Sequence, residues 1–300
     1  VVVITPVEGG PSEALGIRAG DRILKADSLV LTGPSIRNED VMSSLRGPRG
    51  SSVAVTLLRK GRSAPFQVDI TRGKVPINSV ATALLGTNGV GYIKLIRFAK
   101  NTHAEFIDAA RKLREQGMTT LVLDLRGNGG GFLTSAIELA DEFLPRGRTI
   151  VYTQGRNSPR QDITATAAGE FEDMPLAVLI DEGSASASEI IAGAVQDNDR
   201  GILVGRRTFG KGLVQEHVDL PDASAIRLTT ARYYTPSGRS IQRPYGEGID
   251  YAEDLEDRMV HGEFLSQDSV RVDSSQVYTT LKGRTVYGGC LLYTSPSPRD

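Results

Sequence analysis

Short apolar runs and helical stripes alternate along most of the chain. Leu176–Ile180 is a continuous apolar run, as expected of a strand buried on both faces. Gly183 breaks the run, and Ser184, Ala185 and Ser186 are small enough for a tight turn. From Ala187 the period becomes helical, with Ile190, Ile191, Ala194 and Val195 at three- and four-residue spacing and Glu189 in the first turn. An earlier stretch repeats this order: 120–125 predicts a buried strand, 126–131 is a glycine-rich loop, and 132–144 predicts a helix. Residues 91–96 predict another strand, and 102–116 an amphipathic helix with Phe106, Ile107, Ala110 and Leu113 on one face. A further short run, 202–204, follows the helix that begins at Ala187. Alternation of strand and helix over 91–204 predicts an α/β core.

The flanks read differently. Residues 1–4 predict a strand, 11–24 a short helix, a glycine turn and a strand, and 38–45 a helix with apolar Val41, Met42 and Leu45. Two more strands, 53–58 and 66–70, are joined through Lys60 and Gly61. Residues 1–73 thus form a first unit, and 74–90 a polar linker with Pro76, Asn78, Gly86, Asn88 and Gly89. Residues 152–172 are polar and small, and predict a strand and a mobile surface loop. Strands recur at 216–220 and 225–231, before a turn at 233–238. Residues 250–289 read as a charged, partly helical peripheral segment.

Length and composition narrow the picture. Three hundred residues suit two domains. A net charge of −1 argues against a nucleic-acid footprint or an electrostatic membrane anchor. A single cysteine, Cys290, excludes an internal disulfide, and three scattered histidines give no metal-ligand cluster, so no metal or organic cofactor is expected. The chain opens Val-Val-Val-Ile, which reads as the middle of a domain and leaves targeting undetermined.

The candidate chemistry lies where the run 176–180 turns into a helix. Backbone N–H groups at a helix N-terminus point outward, so a hydroxyl at Ser186 can attack a carbonyl while the N–H of Ala187 holds the oxyanion. Such a serine needs a base. His103, His217 and His261 lie in no glycine- or serine-rich context, whereas Lys211 sits in Phe209-Gly210-Lys211-Gly212. A lysine serves as a base only where burial disfavours the ammonium form, and burial of Lys211 among Phe209 and the core strands is expected. Gln215, four residues on, can accept a hydrogen bond from the amine and orient it. Serine- and alanine-rich turns are also common N-caps, and lysine in a glycine-rich loop more often binds phosphate or is simply solvated. The Gly205–Lys211 segment lacks the hydroxyl residue that should follow a P-loop lysine, because Gly212 stands there. The 126–131 loop fails the dinucleotide fingerprint at Phe132, and no G-x-S-x-G elbow surrounds Ser186.

Ser-Ala-Ser-Ala-Ser-Glu-Ile at 184–190, Phe-Gly-Lys-Gly at 209–212 and glutamine at 215 together resemble the carboxy-terminal processing proteases, the tail-specific Ser–Lys peptidases of family S41 that carry a PDZ domain. The resemblance runs from about residue 3 to 289. It implies Ser186 as nucleophile, Lys211 as general base and Gln215 as the orienting residue. It makes the 126–131 loop the second half of the oxyanion hole, through Gly130 or Gly129, beside Ala187. Gly16-Ile17-Arg18-Ala19-Gly20-Asp21-Arg22-Ile23 is the segment most like a PDZ domain, and Val41, Met42 and Leu45 would then face a peptide groove, although a core-facing role suits them as well.

The implied architecture is a spiral core of the ClpP/crotonase type over 91–249, α/β in class, plus a small α+β PDZ domain truncated at its N-terminus. The implied activity is cleavage of polypeptides with exposed C-termini, outside the cytoplasm in the bacterial periplasm or envelope. A homo-oligomer, and membrane attachment only through a missing N-terminal segment, also follow from the resemblance. Residues 290–300 depart from the family's pattern and read as a non-native tail. A catalytically inactive PDZ scaffold and an acyl-CoA enzyme of the crotonase fold are the competing readings. Ser186, Lys211 and Gln215 occurring together argue against both.

Overall fold

A computed structural model describes residues 1–7, 9–33, 35–75, 78–222, 224–243, 253–266, 269–270 and 275–288, with the side chain of His217 excepted. The chain divides into two compact units, Val1–Ile77 and Asn78–Asp300.

The first unit contains α1 (Pro11–Ala14), β1 (Arg22–Ala26), β2 (Leu29–Val30), α2 (Asn38–Leu45), β3 (Ser52–Leu58) and β4 (Phe66–Thr71). Its antiparallel sheet has the order β2-β1-β3-β4. Strict alternation along β3 sends Val53, Val55 and Leu57 into a core with Ile17, Ile23, Ala26, Leu31 and Ile70. Val41 and Leu45 pack partly against that core, while Met42 stays 45% exposed. Buried Asp21 accepts two bonds from Arg59, both at 2.7 Å. The strand expected at 1–4 is only an isolated bridge between Val2 and Arg22, and Val1, Val2 and Ile4 remain exposed. Backbone bonds tie Val1 and Val3 to the segment Gly20–Ile23, and Pro6, two residues past Ile4, has no N–H with which to extend them.

The second unit begins with β5 (Val80–Leu85), the 3₁₀ turn Thr87–Gly89, β6 (Val90–Leu95), α3 (Thr102–Glu115), β7 (Thr120–Asp124) and α4 (Leu133–Asp141). It continues with β8 (Thr149–Gln154), β9 (Gln161–Thr164), β10 (Leu176–Ile180), α5 (Ala187–Asp197) and β11 (Ile202–Gly205). Then come β12 (Leu213–Asp219), β13 (Ala225–Tyr234), α6 (Asp254–Val260), β14 (Val277–Thr279) and β15 (Thr285–Tyr287). One sheet has the order β11-β10-β7-β6-β5, parallel except for β5. A second, antiparallel sheet has the order β12-β13-β8-β9. The architecture is therefore mixed α/β.

Every residue of α5 is buried, which explains its stripe of isoleucine, alanine and valine without a charged outer face. Phe106 anchors the same core through edge-on contacts with Phe143 and Phe171, at 5.6 and 6.0 Å. The stretch 74–90, expected to be a polar linker, contains β5, whose Val80 and Leu85 pack on the core and which closes one sheet edge. The strand expected within 152–172 is β9, which pairs with β8.

The C-terminal segment, expected to be peripheral, buttresses the interior. Buried Arg258 of α6 donates to the carbonyls of Arg207 at 2.6 Å and Thr208 at 3.0 Å. The β14–β15 turn is held by Leu281 N–H to the Asp197 carbonyl at 2.9 Å and by Arg284 to Asp199. Cys290 and the expected tail, 290–300, lie outside the described residues.

Candidate active site

Two loops and one helix start converge here. The strand β10 ends at Ile180, and the turn after it places Ser186 as N-cap of α5. The backbone of Ser186 has φ 56° and ψ −110°. A positive φ is unfavourable for a residue with a Cβ, and such strain costs roughly 1–3 kcal/mol unless the surroundings enforce it. They do so here. Ser184 Oγ donates to the Leu125 carbonyl at 2.8 Å, and Ser188 Oγ donates to the Asn128 carbonyl, also at 2.8 Å. Both hydroxyls are buried, whereas Ser186 is half-buried.

The loop 125–131 is stitched to the same turn. Asn128 is the pin: its Nδ2 donates to the Leu95 carbonyl at 3.0 Å, and its own carbonyl accepts from Ala185 N–H at 3.0 Å. Its Oδ1 accepts from Gly130 N–H at 2.9 Å. Gly130 has φ 94°, and a Cβ there would lie 2.9 Å from Ser186 Cβ and 3.0 Å from Ala187 N. Only glycine lets this backbone come so close to the serine. Of the proposed oxyanion donors, Gly130 N–H is thus engaged by Asn128, while no partner is present among the described residues for the N–H groups of Ala187 and Gly129.

The start of the loop is fixed by Asp124 at the end of β7. It accepts from Tyr92 Oη at 2.5 Å and from Arg126 Nη2 at 2.7 Å. Burial pushes the Asp124 carboxyl up, but the bonds from Arg126 and Tyr92 outweigh it and hold the group well below the usual carboxylate range. The same arrangement, burial first and Asp124 second, pushes the Tyr92 hydroxyl up.

Glu189 joins the serine turn to the lysine loop. It is fully buried, one turn into α5. One carboxylate oxygen accepts from Ser186 N–H at 2.9 Å and Lys211 N–H at 2.8 Å. The other accepts from Thr208 Oγ1 at 2.6 Å and Gly210 N–H at 2.8 Å. Burial pushes this carboxyl up, against four donors that favour its charged form. Phe209 N–H to the Ser184 carbonyl, at 3.0 Å, adds a second tie between the two loops. Gly212 N–H donates to Gln242 Oε1 at 2.9 Å, which sets the entry into β12.

The backbones of Ser186 and Lys211 are therefore brought to a single carboxylate oxygen. Lys211 is exposed, contrary to the expected burial, two residues before β12 begins. Gln215, in β12 opposite Thr229, is exposed as well. Val41, Met42 and Leu45 belong to the first unit, where Leu45 borders an apolar cavity of about 510 Å³ with Val3, Ile17, Val53 and Ile70. Two histidines have partners of their own: His103 Nε2 meets Glu142 at 2.7 Å, and His261 Nδ1 lies 2.6 Å from the Asp257 carbonyl. The sequence reading missed the clamping roles of Glu189, Thr208 and Asn128. Ser186-Ala-Ser-Glu189 is a capping box in sequence, and that signal alone marks Glu189 as bonded back to Ser186 N–H.

Comparison with known proteins bears on this geometry. The model of peptidase family S41 matches residues 89–252, more than half of the chain. The chain belongs to peptidase family S41. It is similar to the carboxyl-terminal-processing protease of Synechocystis sp., at 38% identity over 80% of this chain and 56% of that protein. It is also similar to the carboxy-terminal-processing protease of Bartonella bacilliformis, at 36% identity over 95% of this chain and 64% of that one. The chain thus spans a little over half to under two thirds of the length of these curated relatives. Among solved structures, a photosystem II D1 C-terminal processing protease is 39% identical over 80% of this chain and 65% of its own, with a TM-score of 0.51. An S41 protease from Bacteroides fragilis, at 20% identity and a TM-score of 0.55 over 89% of this chain and 74% of its own, shares the fold.

Proposed function

We propose that this S41 chain is a serine endopeptidase that cuts polypeptides bearing exposed C-termini, with Ser186 and Lys211 as a catalytic dyad. The observation that carries the reading is the convergence of Ser186 N–H and Lys211 N–H on one oxygen of buried Glu189. The neutral Lys211 amine takes the Ser186 proton as Oγ bonds to the scissile carbonyl carbon. The carbonyl π electrons move to oxygen, and Ala187 N–H with an N–H of the 129–130 loop stabilises that oxyanion. The lysine ammonium then protonates the leaving amine as the C–N bond breaks, leaving an acyl-serine. Water, deprotonated by the same amine, releases the acid and restores Ser186. Gln215 orients the amine without adding charge. A bound polypeptide lying over Lys211 would exclude water from its amine and favour the neutral form.

In the same reading residues 1–73 are a PDZ domain that selects substrate tails, with Val41, Met42 and Leu45 toward its groove. The second unit is the ClpP/crotonase-like spiral core. The protein works outside the cytoplasm, in the periplasm or envelope, as a homo-oligomer. It needs neither a metal nor an organic cofactor.

Labelling with a serine-reactive fluorophosphonate, mapped by mass spectrometry, tests the reading. The adduct is expected on Ser186. An unlabelled, uncleaving protein would be an inactive scaffold. Ser184 and Ser188 should behave differently from Ser186. Alanine at either removes a hydroxyl from a buried carbonyl, which costs about 1–3 kcal/mol of stability. Turnover should fall far less than in Ser186→Ala. Urea unfolding and peptide turnover on the same samples check this, and an inactive Ser188→Ala protein of normal stability would move the nucleophile to Ser188.

A further inference from the structure

The antiparallel sheet that begins two residues after Lys211 carries a cavity on one face. Leu213 lies opposite Arg232, and Arg232 lies opposite Gln154. Residues in such a cross-strand row share a face. Gln215 is two residues along from Leu213 and pairs with Thr229, because Thr230 is an extra residue on β13 at the register shift. Leu213, Gln215, Thr229, Arg232 and Gln154 therefore stand on one surface. A cavity of about 500 Å³ opens there, bordered by Gln154, Arg156, Leu213, Thr229, Arg232 and Tyr234.

Its chemistry is one-sided. Among the described residues Arg156 and Arg232 line it and no carboxylate does; Arg232 has a partner of its own, so the charge on offer is that of Arg156. Arg156 is exposed and has no ion-pair partner among the described residues. The neighbouring Arg160, by contrast, is spent on Asp162 and lies 3.7 Å above the Tyr152 ring. Glu216, the acidic side chain of β12 nearest the bulge, accepts from Thr230 Oγ1 at 3.1 Å. The walls are fixed: Tyr234 stacks on Tyr152 at 4.9 Å, and the Gly155 backbone presses so closely on the bulge that a Cβ would lie 2.1 Å from the Thr230 carbonyl oxygen. That contact places Arg156, the next residue, at the cavity.

Resting on the protease reading above, we infer that this cavity is a carboxylate-binding subsite beside the reaction centre. It takes either an acidic side chain near the scissile bond or the terminal carboxylate of the substrate. The planar guanidinium of Arg156 suits a carboxylate in both cases. The cavity thus selects substrates within the catalytic unit, independently of any tail recognition by residues 1–73.

Fluorescence anisotropy on full-length Ser186→Ala protein, which does not consume peptide in this reading, tests the subsite. The probes are one neutral, amidated peptide, its free-acid form, and amidated forms with a single glutamate walked along the sequence. The free acid or one glutamate peptide should bind about two- to fivefold more tightly than the neutral parent, the scale of one partly exposed ion pair. Arg156→Gln should erase that difference, and Arg156→Glu should reverse it so that a lysine-bearing peptide is preferred. The arm that loses its preference identifies the carboxylate source. Unchanged preferences of both arms in Arg156→Glu protein with a normal melting curve would overturn the subsite. Cleavage of the same peptides by protein with Ser186 intact is a separate readout. If none is cut, the protease reading fails, while the binding comparison still decides the subsite.

Discussion

Glu189→Ala should abolish peptide turnover while leaving Ser186 and Lys211 chemically intact. The substitution strips the acceptor from Ser186 N–H, Lys211 N–H, Gly210 N–H and Thr208 Oγ1 together. The bonds from Thr208 Oγ1 and Gly210 N–H are buried, and those from Ser186 and Lys211 N–H part-buried. Leaving such donors unpaired costs about 1–3 kcal/mol apiece before relaxation. The positive φ of Ser186 then has less to enforce it, and the lysine loop loses its tie to the turn. A catalytic group displaced by about 1 Å costs roughly a hundredfold in rate, and in the proposed dyad two groups would move. Turnover should fall by at least ~10³.

Glu189→Gln separates charge from shape. Its amide oxygen can serve one pair of donors, but its NH₂ group faces the other pair, so partial activity and a lower melting temperature are expected. Wild-type turnover in both variants would show that the clamp does not position the dyad. Measuring melting curves beside kcat and KM distinguishes mispositioning, which lowers kcat, from simple unfolding.

The periodic parts of this fold were legible in sequence because burial enforces the period. Strand β10 and the start of α5 fall where the apolar run and the helical stripe placed them, and α2 spans the stretch carrying Val41, Met42 and Leu45. What escaped was an element defined by a partner rather than by a pattern. Strand β5 lies in a stretch flanked by Pro, Asn and Gly that reads as a linker, and it pairs with the edge that β6 offers. At the site, sequence supplied the small residues and the lysine but not the clamp, since a buried glutamate reads as an exposed one until its four donors are seen. The exposure of Lys211 was equally invisible, because flanking Phe209 and glycines say nothing about what lies above the side chain.

Lys211→Cys, in a protein whose Cys290 has been replaced by serine, should be inactive and should regain activity on alkylation with bromoethylamine. That reaction rebuilds a lysine-length chain with sulfur in place of one methylene, and sulfur makes the amine less basic. A general base must be neutral to accept the Ser186 proton, so activity rises with pH as the amine loses its own proton. A less basic amine becomes neutral at lower pH. The rising limb of the pH–rate profile should accordingly move to lower pH in the rescued enzyme than in the parent, with a maximal rate reduced by less than about tenfold. Lys211→Arg should stay inactive at every pH, since guanidinium keeps its protons. Because Lys211 is exposed, its environment should depend on what lies over it, so longer peptides that cover β12 should shift the limb further than short ones. A different outcome would point elsewhere. If Lys211→Ala protein still cuts, with a limb near ~6.5 that disappears on replacing His103, His217 or His261, then a histidine is the base. The pairing of His103 with Glu142 makes that histidine the first to replace.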